Sequence, residues 1–196
     1  MWILTLTQLR RTLMCAALLA PLWTFAQPGD RQCPPRCEPG VPTWFAEHLE
    51  SRMAEGGRWI ANNDAYLNDS EPIDAYGIEW QWGAGKKSLR GRMFAIAAGR
   101  ETATVWELRT LWHPGERRAQ VFQYGSDGTF IEGVLEPDGA GGIRLEQTVH
   151  SPDGGSSLVR HVERVEADGA CVSSASHEGP SGWVTGRTYV WMPRAE

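Results

Sequence analysis

The stretch Ile143-Arg144-Leu145-Glu146-Gln147-Thr148-Val149-His150, then Ser151-Pro152-Asp153-Gly154-Gly155, then Ser156-Ser157-Leu158-Val159-Arg160-His161-Val162-Glu163-Arg164-Val165 decides how this chain folds. Apolar and polar residues alternate on both sides of a turn signal, which is the period of a half-buried strand. Asp-Gly favours a tight hairpin, because a type I′ turn needs positive φ at both central residues. Opposed residues of a hairpin share a face. One face then carries Ile143, Leu145, Gln147 and Val149 with Leu158, Arg160, Val162 and Arg164. The other carries Arg144, Glu146, Thr148 and His150 with Val159, His161, Glu163 and Val165. The first is the more apolar and is expected to point inward. That places Gln147 and Arg160 inside and leaves His150 and His161 facing water.

The same pattern extends in both directions. Turn signals recur at Gly83-Ala84-Gly85, Pro114-Gly115, Asp127-Gly128, Asp138-Gly139, Asp168-Gly169 and Gly179-Pro180. Between them the spacing predicts ten strands: 58–66, 75–83, 88–97, 102–112, 118–125, 129–136, 142–150, 157–165, 170–177 and 183–192. Hairpin after hairpin makes an antiparallel meander, and a long meander loses its exposed edges by rolling up. The expected fold is therefore an all-β closed barrel of about ten strands, with a two-sheet sandwich as the alternative. Residues 43–55 have the helical period instead. Phe45, Leu49 and Met53 form one apolar stripe, Thr43 is a candidate N-cap, and Gly56-Gly57 supplies the stop. This short helix is placed to cover one mouth of the barrel.

Carrying the register onward gives further facings. Cys171, Ser173, Ala175 and His177 fall on the inner face, with His177 near Arg160. Tyr76, Ile78, Trp80 and Trp82 share a face, as do Trp106, Leu108, Thr110 and Trp112. A three-residue loop Pro114-Gly115-Glu116 makes the Trp106 face continuous with the face of Phe122 and Tyr124, and hence with Ile131 and Leu135. That choice gathers the aromatic residues inside, where burying each one contributes a few kcal/mol. On the last strand Trp183, Thr185, Arg187, Tyr189 and Trp191 alternate with Val184, Gly186, Thr188 and Val190, and either face can point inward.

The start of the chain reads differently. Arg10-Arg11 precedes an apolar run, Leu13 to Ala20, and Thr24-Phe25-Ala26 closes it with a small residue. This is the pattern of a cleavable signal peptide over residues 1–26, so the chain is expected to be exported to the periplasm or secreted. Pro21 interrupts the run, which argues against a membrane span. Residues 27–42 are a Pro- and Gly-rich segment, and 43–196 form the helix and barrel. Beyond Ala26 there are 17 basic and 24 acidic residues, with no basic stripe, which disfavours nucleic-acid binding. Cys33, Cys37 and Cys171 remain. In an oxidising compartment Cys33 and Cys37 close a small loop, or one of them pairs with Cys171. No Cys/His spacing supplies a metal site, and no motif calls for a cofactor.

Tyr76-Gly77-Ile78-Glu79-Trp80-Gln81-Trp82-Gly83, Leu89-Arg90-Gly91-Arg92, Trp106-Glu107-Leu108-Arg109 and Trp112-His113-Pro114-Gly115 together resemble a group of uncharacterised bacterial lipocalin-like proteins. The resemblance spans about residues 57–192 and implies a calycin-type β-barrel. Ten-stranded relatives bind fatty acids or haem. The Gly-x-Trp-x-Gly motif of haem-binding members is absent, since Gly57-Arg58-Trp59-Ile60-Ala61 departs from it.

Eight tryptophans beyond residue 26 (44, 59, 80, 82, 106, 112, 183 and 191) are the loudest feature of the composition. Core packing accounts for most, and an aromatic-lined cavity is the functional alternative. The site expected is a cavity for a small, largely apolar or amphipathic molecule, walled by Trp80, Trp106 and Tyr124. Arg160, with Gln147 and His177 beside it, would hold a polar group such as a carboxylate. Two other classes compete: an isomerase, hydratase or cyclase using His177 or Glu79 as acid or base, and a protein-interaction module with no open cavity.

Overall fold

The computed structural model describes residues 40–195. The expected signal peptide over residues 1–26, most of the Pro- and Gly-rich segment, and Cys33 and Cys37 lie outside the described residues. Helix α1 spans Thr43–Arg52. Ten strands follow: β1 Arg58–Asn62, β2 Ala75–Trp82, β3 Ser88–Ala97, β4 Arg100–His113, β5 Arg118–Gly125, β6 Phe130–Pro137, β7 Ile143–His150, β8 Ser156–Val165, β9 Cys171–Gly179 and β10 Gly182–Pro193. Each pairs antiparallel with its neighbours in sequence, and β1 pairs with β10 through Trp59↔Pro193 and Ala61↔Trp191. The sheet is thus a closed barrel with no free edge, as the meander pattern predicts.

Helix α1 begins one residue after Pro42, whose fixed φ suits the start of a helix, and Thr43 is its first residue rather than its cap. Gly56 and Gly57 have φ of 84° and 87°, a region that L side chains rarely adopt, and there the chain turns into β1. The helix lies across the barrel end reached by the β2–β3, β4–β5, β6–β7 and β8–β9 hairpins. Phe45 and Leu49, both essentially inaccessible, pack with Leu89, Ala119, Val121, Leu135 and Leu145.

Two strands face the opposite way from the sequence expectation. The β4–β5 loop has four residues, since His113 pairs with Arg118, and Arg117 takes a φ of 55° within it. Trp106, Leu108, Thr110 and Trp112 therefore oppose Gly125, Gln123, Val121 and Ala119. Phe122 and Tyr124 turn outward, where Tyr124 opposes Phe130. The β7–β8 loop departs in the other sense: it holds an odd number of residues, 151–155, because His150 pairs with Ser156. Gln147 then opposes Val159, and Leu145 opposes His161. So Val159, His161 and Glu163 point inward, while Leu158, Arg160, Val162 and Arg164 point outward. The β8–β9 loop is also odd, with Val165 opposite Cys171, and it restores the expected facing of β9.

The last strand uses both of its faces. A bulge between Thr185 and Thr188 shifts its register against β9. Arg187, Tyr189 and Trp191 point inward beyond it, whereas Trp183 before it lies outside. β1 is shorter than its spacing suggests, and residues 63–74 form a strap tied to β10. Thr188 N–H donates to Tyr66 Oη at 2.7 Å, and Arg187 holds Glu71 in a bidentate pair at 2.5 and 2.6 Å. Outside the barrel, Phe94 fills the gap left by Gly77. Arg58 and Arg92 stack on its ring at 4.9 and 4.7 Å, and Glu79 and Glu101 bridge the two arginines.

Candidate functional site

The barrel encloses a cavity of about 390 Å3, touched by all ten strands and floored by His48 and Arg52 of α1. Its volume falls within the range of small-molecule sites, about 300–1,000 Å3. Most of the wall is apolar, including Trp80, Met93, Trp106, Leu108, Ile131 and Val149. Glycines on the inner face make room for the larger side chains. A Cβ on Gly91 would lie 2.6 Å from Trp80 Cε3, and one on Gly125 would lie 3.0 Å from Trp106 Cζ3. A Cβ on Gly133 would meet Gln147 Cγ at 2.7 Å. Each of these three side chains therefore rests against a strand that lacks its own.

Gln147 is 2 % exposed, and neither its Oε1 nor its Nε2 has a hydrogen-bond partner. Buried polar groups are normally paired, and one left unpaired is costly. Gln147 thus presents a free donor and a free acceptor in the cavity wall.

The floor is charged but internally matched. Arg52 donates from Nη1 to Cys171 Sγ at 3.0 Å and from Nη2 to Glu163. Trp59 Nε1 donates to the Arg52 carbonyl at 2.8 Å and so fixes the end of the helix. Burial opposes the charge on Arg52, but Glu163 and Cys171 hold its pKa above the usual arginine value. Burial raises the Cys171 pKa despite Arg52, leaving a neutral thiol. Among the described residues Cys171 has no disulfide partner, and it is inaccessible. His48 falls well below the usual histidine pKa through burial and then through Arg52. His161 is lowered by burial, opposed by Glu163. Both imidazoles are therefore neutral at pH 7.

On the strap side, Glu71 accepts from Arg187, from Tyr76 Oη at 2.8 Å and from Asn63 Nδ2 at 3.2 Å. The Arg187 hydrogen bonds bring its pKa down to about 2, against burial. Tyr189 Oη donates to Asn63 Oδ1 at 2.9 Å and closes the network.

Of the residues singled out from sequence, Trp80, Trp106 and Gln147 meet in the cavity. Tyr124 does not: it is half exposed and packs on Phe130 at 5.2 Å. Arg160 lies outside, paired with Glu146 at 2.8 Å and stacked 4.1 Å from the Trp183 ring. His177 shares a strand face with Ala175 and lies in the same cross-strand row as Gln147, with Val159 between them, but it is exposed and does not border the cavity. Glu79 belongs to the outer ion-pair ladder around Phe94. Sequence reasoning missed His48, Arg52, His161, Glu163 and Arg187. A signal for two of them was present, because Phe45, His48, Leu49 and Arg52 have the i, i+3, i+4, i+7 spacing of one helical face. Among the described residues, no cluster of His, Cys, Asp and Glu could hold a metal ion. No helix there is long and apolar enough to cross a membrane. Compared with protein-family models, with curated proteins and with solved structures, the chain matches none.

Proposed function

We propose that this chain is an exported, lipocalin-like barrel that binds a small, largely apolar molecule in its interior. The observation that carries the reading is the cavity of about 390 Å3, mostly apolar in its wall and bordered by one buried amide with no partner. A filled barrel needs no such space, and a merely structural glutamine would be paired. Arg160, expected to receive a carboxylate, is engaged with Glu146 outside, so the polar contact passes to Gln147. Trp80 and Trp106 border the cavity, so tryptophan fluorescence titrated with medium-chain apolar compounds tests the proposal. Saturable quenching or enhancement is expected, and it should weaken at least tenfold when Ile131→Trp fills the space. A flat response to every compound, with the cavity solvent-filled in a crystal structure, refutes it. Export is tested separately, by finding the chain outside the cytoplasm with Gln27 as its first residue.

One observation favours a second reading, an interaction surface. Phe122, Tyr124, Phe130 and His150 form a row on the outside, with Phe122 and His150 stacked on Phe130 at 6.4 and 5.8 Å. Beside it, Leu158 and Trp183 are each 40 % exposed and border a shallow groove. If this surface is the functional one, Tyr124→Ser with Trp183→Ser abolishes association with a partner and leaves ligand-induced fluorescence unchanged.

A further inference from the structure

The polar chemistry of the cavity narrows the kind of molecule it can accept. Two arginines reach the cavity, and each already faces a carboxylate: Arg52 meets Glu163, and Arg187 meets Glu71. The other basic side chains there, His48 and His161, sit in surroundings that favour the neutral ring. Glu163 itself borders the space. A carboxylate entering the cavity would therefore find no unpaired cation among the described residues, and one carboxylate already present. Burying an unpaired charge in an apolar wall is strongly unfavourable.

Gln147 asks for something different. Its amide offers one acceptor and one N–H donor group, both unpartnered, at a residue 2 % exposed. Gly133 lies directly opposite on β6 and has no side chain to compete for them. Val159, opposite on β8, is apolar and offers nothing either. The complement of a primary amide is a neutral group that both donates and accepts, such as another amide or a lactam. Because the site is built to hydrogen-bond in both directions, an analogue lacking the donor leaves a buried polar atom unmatched and is rejected.

We infer that the cavity selects an uncharged, largely apolar ligand whose single polar head carries a carbonyl next to an N–H, and that Gln147 is the residue that reads that head. This rests on the proposed function and adds the head-group class and the residue that selects it.

Three probes with the same alkyl tail separate the possibilities: octanamide, methyl octanoate, which accepts only, and octanoate, which is charged. Tryptophan fluorescence and calorimetric titrations at pH 7.5 would compare wild type with Gln147→Met, which keeps the side-chain size and removes both polar atoms. Wild type should bind octanamide about tenfold more tightly than the ester, and octanoate weakest of the three. Gln147→Met should lose the preference for the amide over the ester while still binding the ester. Octanoate binding as tightly as octanamide overturns the inference, as does an amide preference that survives in Gln147→Met. Either result leaves the cavity proposal intact. If none of the three binds wild type, the cavity proposal fails and the inference falls with it. Gln147→Glu guards against misreading a fold defect. It retains a hydrogen-bonding side chain and should bind the ester and octanoate more weakly than wild type, with an unchanged near-ultraviolet circular dichroism spectrum. A spectrum unchanged together with octanoate binding stronger than wild type's would overturn the assignment.

Discussion

At each end of β1 an arginine meets a glutamate, but the surroundings differ. Arg52 and Glu163 sit under α1 with side-chain exposures of 10 % and 18 %, against a buried thiol and the Trp59 ring. Arg187 is 43 % exposed, and its pair with Glu71 ties the strap to the bulge of β10. The contacts are chemically similar. What differs is what the glutamate keeps when its arginine is gone: both glutamates are 18 % exposed, but Glu71 also accepts from Tyr76 and Asn63. Glu163 has no second side-chain donor among the described residues, so its pair with Arg52 fixes where α1 can sit. At the strap, water can replace the arginine, so the pair sets the position of a connection more than the stability of the fold.

The largest effect is expected at the helix end. Arg52→Met should destabilise the protein by about 3–5 kcal/mol in urea denaturation, because Glu163, largely shielded from solvent, loses its one side-chain donor. Adding Glu163→Met should recover much of that loss. A cost below about 1 kcal/mol for the single variant would erase the distinction between the two ends. At the strap, Arg187→Met should cost about 1 kcal/mol or less. Its signature should be faster amide exchange confined to residues 63–74, and protection unchanged there would show that the pair does not hold the strap.

Acid titration sharpens the contrast. The Glu71 pKa is about 2 in the folded protein, against an ordinary value of 4.5. A depressed carboxylate stabilises the fold fully above its unfolded pKa, and that contribution declines as pH falls through the window and is gone below the folded pKa. Wild type should therefore lose stability relative to Glu71→Gln as pH drops from about 4.5 toward 2. Parallel curves for the two proteins would remove Glu71 from the account. The smallest effect concerns Cys171, which should react with a maleimide only at the rate at which the barrel unfolds. Rapid labelling of native protein would mean that the helix end is open to solvent.

The barrel was legible because turns and alternation are local. Asp-Gly pairs and period-two runs mark each hairpin, and closure follows from the number of strands. The facing of β5 and β8 was not legible, since it depends on whether the flanking loops hold an odd or an even number of residues. Gathering aromatic residues inward misassigned β5, because the four-residue β4–β5 loop turns Phe122 and Tyr124 outward. The inner face of β5 then presents Ala119 and Val121 to Phe45 and Leu49 of α1. On β8 both faces are mixed. Glu163, and with it His161 on the same strand face, belongs inside because Arg52 reaches Glu163 from a helix more than a hundred residues earlier, a pairing that no strand pattern contains. For the site, Trp80, Trp106 and Gln147 could be read from alternation alone, since β2, β4 and β7 keep the expected facing. The charged floor could not, because it is assembled between distant elements.

The inner-face glycines give the cavity an unusual kind of editability. Side chains that border the cavity lean on positions that lack a Cβ, so its wall can be shifted by substituting residues that do not themselves border it. At Gly133 and Gly91 an added Cβ would meet neighbouring backbone oxygens at 2.2 and 2.8 Å, so the strand itself would have to move. At Gly125 the nearest obstacles are the Asp127 carboxylate and the rim of the Trp106 ring, and both can give way. Gly125 is thus an adjusting screw for the chamber: one carbon placed on β5 is transmitted across the strand pair as a tilt of the Trp106 indole.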